Sequence, residues 1–167
     1  MLSNRDLKYL AKQYNVPLDY VGYKDAMPKA KNRVNYSAII NLDGKNPDDF
    51  NKNGSHWTCL VMRDKFCAYF DPFGLPESKA TTAYIRTQNI KSYSYNSVKI
   101  QDIKDDHCGW YCIAFLMFVR DNYKRTGNDD DNEDCLDKCA VDFTKLFDST
   151  NSTHNKDILK KTFFYNY

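Results

Sequence analysis

Four residues of this sequence have the types and the order that acyl transfer to a thiol requires: His56, Asp71, Gln101 and Cys108. A thiol nucleophile must lose its proton, needs a base to carry that proton, and needs donors for the oxyanion that its attack creates. Cys108 stands at the start of a long apolar run, hence at the N-terminus of an expected helix. Unpaired N–H groups and the helix dipole favour a thiolate at such a position. Gly109 follows directly and would remove a side chain where a substrate carbonyl approaches. Taken alone, a Cys-Gly pair at a helix start reads equally well as a core cysteine.

A hairpin brings the next two residues together. Trp57 to Met62 and Phe66 to Phe70 are strand-like runs separated by Arg63-Asp64-Lys65. Folding the chain there sets His56 opposite residue 71, 72 or 73, depending on the turn. Cross-strand neighbours have Cβ atoms roughly 5 Å apart. Asp71 could then fix the tautomer of His56 and stabilise its protonated form. A one-residue slip would turn one of the two away, and the alternative is a chance pair of polar residues at strand ends. Gln101 ends a later strand and can offer its amide to an oxyanion if the loop to Cys108 folds back. His107 adjoins Cys108, and neighbouring side chains diverge, so it is a poor base. His154 lies in a polar stretch and reads as surface.

The remaining cysteines offer a different reading. Cys108 and Cys112 are spaced four apart, as are Cys135 and Cys139, so each pair would share a helix face. Four thiolates can hold zinc. The aromatic and aliphatic flanks of Cys108 and Cys112 favour core packing of reduced thiols. Cys59 and Cys67 are expected close across the hairpin, without a disulfide.

The elements that must position these residues follow from periodicity. Residues 4 to 14 read as an amphipathic helix, capped by Ser3 with Asp6 in its first turn and stopped by Pro17. Residues 22 to 33 read as loop, Tyr36 to Leu42 as a buried strand, and 43 to 55 as a polar loop. Residues 78 to 88 read as helix and Tyr93 to Ile100 as a strand. Gly109 to Tyr123 is apolar on nearly all sides, which marks a buried central helix. The acidic run Asp129 to Asp134 reads as a loop, and Leu136 to Phe147 and Asp157 to Phe164 as two closing helices. The expected class is α+β: a small mixed sheet packed on a central helix that carries Cys108 at its N-terminus, in one domain over residues 1–167.

Composition narrows the function. Hydrophobic residues make up 42% and charged residues 28% of 167, as in a folded globular chain. A net charge of +2 demands no nucleic-acid partner. The basic stretches at Lys24 to Arg33 and at Lys160-Lys161 read as solvated faces. No stretch approaches the ~20 apolar residues of a membrane span, and residues 1–12 hold no signal-peptide core, so an intracellular place is expected.

The motifs Gly54-Ser55-His56-Trp57, Tyr69-Phe70-Asp71-Pro72-Phe73-Gly74, Gln101 and Cys108-Gly109-Trp110-Tyr111-Cys112 occur in an order that resembles the adenain family. Adenains are the adenovirus maturation proteases, with relatives in virophages and self-synthesising transposons and a wider kinship with proteases of ubiquitin-like modifiers. The likeness covers roughly residues 3 to 125, including Asp6-Leu7-Lys8 and Ala38 to Leu42. It implies a cysteine protease with Cys108 as nucleophile, His56 as base and then acid, and Asp71 as orienting carboxylate. Gln101 and the Cys108 backbone N–H would form the oxyanion hole. Trp57 would pack beside the site and shield it, or simply fill core.

The resemblance further implies a viral endopeptidase that cleaves virion precursors near Gly, working in the host cytoplasm or viral factory and packaged in the virion. It implies a monomer that needs no cofactor, meets no membrane and acts on protein substrates. Two departures limit it. Asp71 stands where the adenovirus enzymes carry Glu. No cysteine lies between residues 68 and 107, so an activating peptide would not be disulfide-linked as in adenovirus. DNA binding is expected to be weak or absent. An isopeptidase acting on ubiquitin-like modifiers would use the same triad. A zinc-stabilised or nucleic-acid-binding structural protein would have no use for the complete set of four.

Overall fold

A computed structural model describes residues 1–29, 34–44, 56–123 and 133–165. Most of the polar loop expected over 43 to 55, and residues 129–132 of the acidic run, lie outside them. Among the described residues there are five helices and five strands: α1 (Asn4–Gln13), β1 (Tyr20–Tyr23), β2 (Asn35–Asn41), β3 (Trp57–Arg63), β4 (Phe66–Phe70), α2 (Lys79–Arg86), β5 (Ser92–Tyr95), α3 (Cys108–Asn122), α4 (Glu133–Thr144) and α5 (Asn155–Phe163). The class is mixed α+β. The sheet runs β1-β2-β3-β4-β5, with antiparallel β2–β3 and β3–β4 pairs and parallel pairs at both edges.

Local chemistry explains most boundaries. The Ser3 hydroxyl accepts from the Asp6 N–H and the Asp6 carboxylate accepts from the Ser3 N–H, a reciprocal cap for α1. That helix ends before Pro17 acts. Asn15 turns left-handed at φ 52°, and the Val16 N–H closes onto the Ala11 carbonyl at 2.8 Å. Ser78 caps α2 by accepting from Thr81. In the β3–β4 hairpin Arg63 pairs with Phe66, which leaves a two-residue turn with Asp64 left-handed at φ 53°.

The sheet has two apolar faces because side chains alternate along each strand. Ile39, Trp57, Cys59, Val61, Ala68 and Phe70 face α1, α3, α4 and α5. Ala38, Ile40, Leu60, Met62, Cys67 and Tyr69 face α2 through Tyr84 and Ile85. Helix α3 is the centre of the first layer, with nine of its residues buried from Cys108 to Val119. No helix among the described residues is long and apolar enough to cross a membrane.

Three expectations need correction. Residues 20–23 form an edge strand that period and composition did not signal; it borrows its order from β2, which it pairs in parallel. The strand expected over Tyr93 to Ile100 is only Ser92–Tyr95, because the chain then turns at Asn96 to bond with Asp71. Cys59 and Cys67 lie on opposite faces of the sheet. Cys67 pairs with Met62, three residues from Cys59, and an odd offset reverses the face.

Candidate active site

Continuing the β3–β4 ladder three residues beyond the Cys59–Phe70 pair sets His56 opposite Phe73. The carbonyl of His56 still accepts from Leu42 at 2.9 Å, so His56 prolongs the line of β3. Beyond Phe70, however, the chain leaves the ladder. Asp71 to Gly74 form a tight turn, closed by the Gly74 N–H on the Asp71 carbonyl at 2.8 Å, with Gly74 at φ 69°. A Cβ on Gly74 would lie 2.8 Å from the Val98 carbonyl carbon, so both conformation and space require glycine there.

That turn swings the carboxylate of Asp71 back toward the base. His56 Nε2 donates to Asp71 Oδ1 at 2.7 Å, with Asp71 fully buried and the His56 side chain 14% exposed. The same oxygen accepts the Phe73 N–H at 2.7 Å. The Phe73 ring stacks on the imidazole, with centroids 4.2 Å apart and planes 15° apart. On its other side His56 is hydrogen-bonded to the Cys108 side chain. One imidazole therefore touches both a buried carboxylate and a thiol.

Burial works against charge on His56, but the hydrogen bonds to Asp71 and Cys108 and the charges of those groups outweigh it and push the imidazole up to about 9. An unfolded histidine titrates near 6.5, so the native state holds the extra proton between those values. The sign follows: this contribution to stability is complete below about pH 6.5 and is lost as pH rises through about 9. A shift of that size corresponds to about 3 kcal/mol. Urea unfolding between pH 6 and 10 is expected to show stability falling by up to that amount. The His56→Ala protein should lack that slope, and an unchanged slope would remove the pair from the account.

Cys108 is the first residue of α3 and is 3% exposed. No side chain caps this helix, since His107 makes no capping hydrogen bond. Gln101 is fully buried, and its backbone N–H is tied to the Pro72 carbonyl at 3.1 Å. Its Nε2 donates to the Asp105 carbonyl at 2.5 Å, which fastens it to the loop leading into Cys108. The turn carrying Asp71 and the loop carrying Gln101, which lies beyond the end of β5, are thus joined through Pro72.

Gly109 and Trp57 both pack against the N-terminal segment. A Cβ on Gly109 would meet Leu7 at 3.1 Å and Leu2 at 3.2 Å, so the glycine admits the N-terminal segment against α3 rather than clearing room for a substrate. Trp57 is 1% exposed and its indole N–H donates to the Leu2 carbonyl at 3.0 Å. It is packed core that also seats residues 1–7.

Sequence reasoning missed two buried amides. Asn96 accepts the Asp71 N–H at 2.8 Å and donates Nδ2 to the Asp71 carbonyl at 2.6 Å and the Val98 carbonyl at 3.2 Å. Asn155, at the start of α5, donates to the carbonyls of Ile100 and Asp148, each at 2.8 Å. Only their fully buried positions distinguish them from ordinary loop asparagines, and position is a property of the fold.

The other histidines and cysteines serve elsewhere. His107 Nδ1 pairs with Asp105 and Asp106, and His154 is exposed. Among the described residues Asp105, Asp106 and His107 are the group whose ligand atoms lie within 4.8 Å of one another, yet Asp106 already takes the Met1 ammonium at 2.8 Å. The Cys112 thiol donates to the Trp57 carbonyl at 3.4 Å, and burial pushes its pKa well up. Cys139 is packed in the core beside α3, and Cys135 lies outside the described side chains.

No protein-family model matches the sequence. No curated protein matches it either. Solved structures do resemble it. The AvrA delL154 protein, solved with IP6 and CoA, superposes over 93% of this chain and 68% of its own, at TM-score 0.52 and 13% identity. The ASFV pS273R protease, as its Se-Met form, covers 54% of this chain and 36% of its own, at TM-score 0.39 and 16% identity, too loose an overlay to carry weight. The chain shares its mixed α+β fold with the first of these structures, and nothing in the likeness singles out the adenain family. At such identity the likeness bears on fold alone.

Proposed function

We propose that this protein is a cysteine peptidase in which Cys108 is the nucleophile, His56 the base and Asp71 the residue that orients the base. The observation that carries this reading is a single imidazole bonded to a fully buried carboxylate on one side and to a thiol at an uncapped helix N-terminus on the other.

The attacking form pairs a Cys108 thiolate with a His56 imidazolium, the thiol proton having passed to the imidazole, and the sulfur attacks the scissile carbonyl carbon. A C–S bond forms as the carbonyl electrons move onto oxygen. The backbone N–H of Cys108 and the second Nε2 hydrogen of Gln101 stabilise that oxyanion. Collapse of the intermediate breaks the C–N bond, and the leaving amine takes the proton from His56. Water, deprotonated by His56, then attacks the thioester, breaks the C–S bond and releases the acid and the thiolate.

The preferred substrates are virion precursor proteins cut at Gly-containing sites, as the adenain-like order of motifs suggests. A second reading, removal of ubiquitin-like modifiers, would use the same three residues and calls for a Gly-Gly end. On either reading residues 1–167 form one peptidase domain, which is a monomer and requires no cofactor. The protein would act in the host cytoplasm or viral factory on the first reading.

The test is a mass shift with a thiol-directed reagent at pH 7. One fast adduct is expected at Cys108, absent in Cys108→Ala and slowed on the order of a hundredfold in His56→Ala. Labelling spread over several cysteines, or unaffected by the His56 change, would mean that no activated thiolate exists. Hydrolysis of Gly-containing peptides compared with ubiquitin-like fusions then separates the two substrate readings.

A further inference from the structure

Phe73 touches both the base and the acid. Its ring covers a face of the His56 imidazole at 4.2 Å. Its backbone N–H occupies the same Asp71 oxygen that His56 uses. The β3–β4 ladder, which ends at the Cys59–Phe70 pair, delivers the segments of His56 and Phe73 to the same edge of the site. The backbone around Phe73 is fixed on both sides, because the Pro72 carbonyl accepts the N–H groups of Ile100 and Gln101 at 3.0 and 3.1 Å and Gly74 closes onto Asp71.

We propose that Phe73 is a positioning residue for the peptidase chemistry, holding the imidazole of His56 in the plane that aims one ring nitrogen at Asp71 and the other at Cys108. The inference rests on the peptidase reading above. A flat ring parallel to the imidazole blocks rotation about χ2 of His56, which hydrogen bonds to two partners alone would permit to rock. The negative π face also attracts an imidazolium more than a neutral imidazole. Asp71 and Cys108 are the titratable groups acting on His56 from the neighbouring turn and helix, and Phe73 adds an uncharged contact that salt would leave intact.

Phe73→Leu keeps an apolar side chain and the backbone N–H but loses the flat face, whereas Phe73→Tyr keeps the face. NMR titration of the His56 ring carbons in the whole protein is the direct readout. In Phe73→Leu the His56 midpoint is expected to fall by roughly half a unit to one unit. Alkylation of Cys108 at pH 7 should slow about three- to tenfold as the imidazole loses its fixed plane. Phe73→Tyr should behave as the wild type. If Phe73→Leu loses its fold by circular dichroism, Phe73→Met, which fills the same space flexibly, replaces it. A His56 midpoint and an alkylation rate unchanged in the variant without a ring would overturn the proposal. Slow, unselective alkylation already in the wild type would instead overturn the peptidase reading, while the ring's effect on the His56 titration would still be measurable.

Discussion

Replacing Asp71 with asparagine should slow alkylation of Cys108 and any peptide hydrolysis by about 10³- to 10⁴-fold, the loss that follows when the acid of a catalytic triad becomes an amide. The replacement is nearly isosteric, so the buried pocket stays filled. Two effects remain. The negative charge that favours an imidazolium is gone. The amide can also present an N–H to His56 Nε2 where Asp71 Oδ1 now accepts. An imidazole facing a donor must carry its proton on the other nitrogen, the one turned toward Cys108, and it then has no lone pair to receive the thiol proton. The Phe73 N–H, which bonds the same Asp71 oxygen, opposes that arrangement by favouring the amide oxygen there, so the lost charge carries the larger share of the effect. The measurement is the second-order alkylation rate at pH 7, with a thermal melt to show the protein intact. A rate within threefold of wild type in a folded Asp71→Asn protein would mean that Asp71 has no part in activating the thiol.

Asn96→Ala should be the most damaging change outside the triad. The Asn96 side chain meets both the N–H and the carbonyl of Asp71, and the carbonyl of Val98 as well. All of this is buried, with Asn96 fully shielded from solvent. The Asp71 carbonyl keeps the Gly74 N–H, but the Asp71 N–H is left unpaired where water has no ready route, which costs its full desolvation, about 1–3 kcal/mol. The loss of stability should therefore be about 2–4 kcal/mol, read from the urea midpoint at unchanged slope. Alkylation of Cys108 should slow as well, since the turn that aims the Asp71 carboxylate is the segment Asn96 holds. Asn96→Asp is a sharper variant: it retains the shape and the acceptor but sets an oxygen against the Asp71 carbonyl where a donor stood. A destabilisation below about 1 kcal/mol in both variants would show that the turn holds itself.

Reading the chain in order recovered much of this arrangement, and the successes share a cause. Helix α1 is legible because a capping Ser3-Asp6 pair and the spacing of Leu7, Leu10 and Ala11 are local. The β3–β4 hairpin is legible because two apolar runs flank a short polar turn. Helix α3 is legible because an unbroken apolar stretch of that length has nowhere to go but a core. The candidate triad followed from those elements. Cys108 falls at a helix start, and His56 and Asp71 fall at the two ends of one hairpin.

The register is where sequence reasoning stopped, with residues 71, 72 and 73 all left opposite His56. The ladder ends at the Cys59–Phe70 pair, and the Asp71–Gly74 turn beyond it brings both Asp71 and Phe73 to the same imidazole. Both are needed, and no periodicity encodes a chain that leaves its ladder.

Residue order thus determined which groups could do chemistry and the elements that carry them, because caps, turns and apolar periodicity act over a few residues. Tertiary structure alone decided the parallel pairings of β1 and β5, the clamp of Asn96 on Asp71 across 25 residues, and that of Asn155 on Ile100 across 55. It also put Gly109 against Leu2 and Leu7 and separated Cys59 from Cys67. Each of these joins segments distant along the chain. Their energy comes from desolvated hydrogen bonds and close packing that exist only once the sheet and α3 have enclosed them.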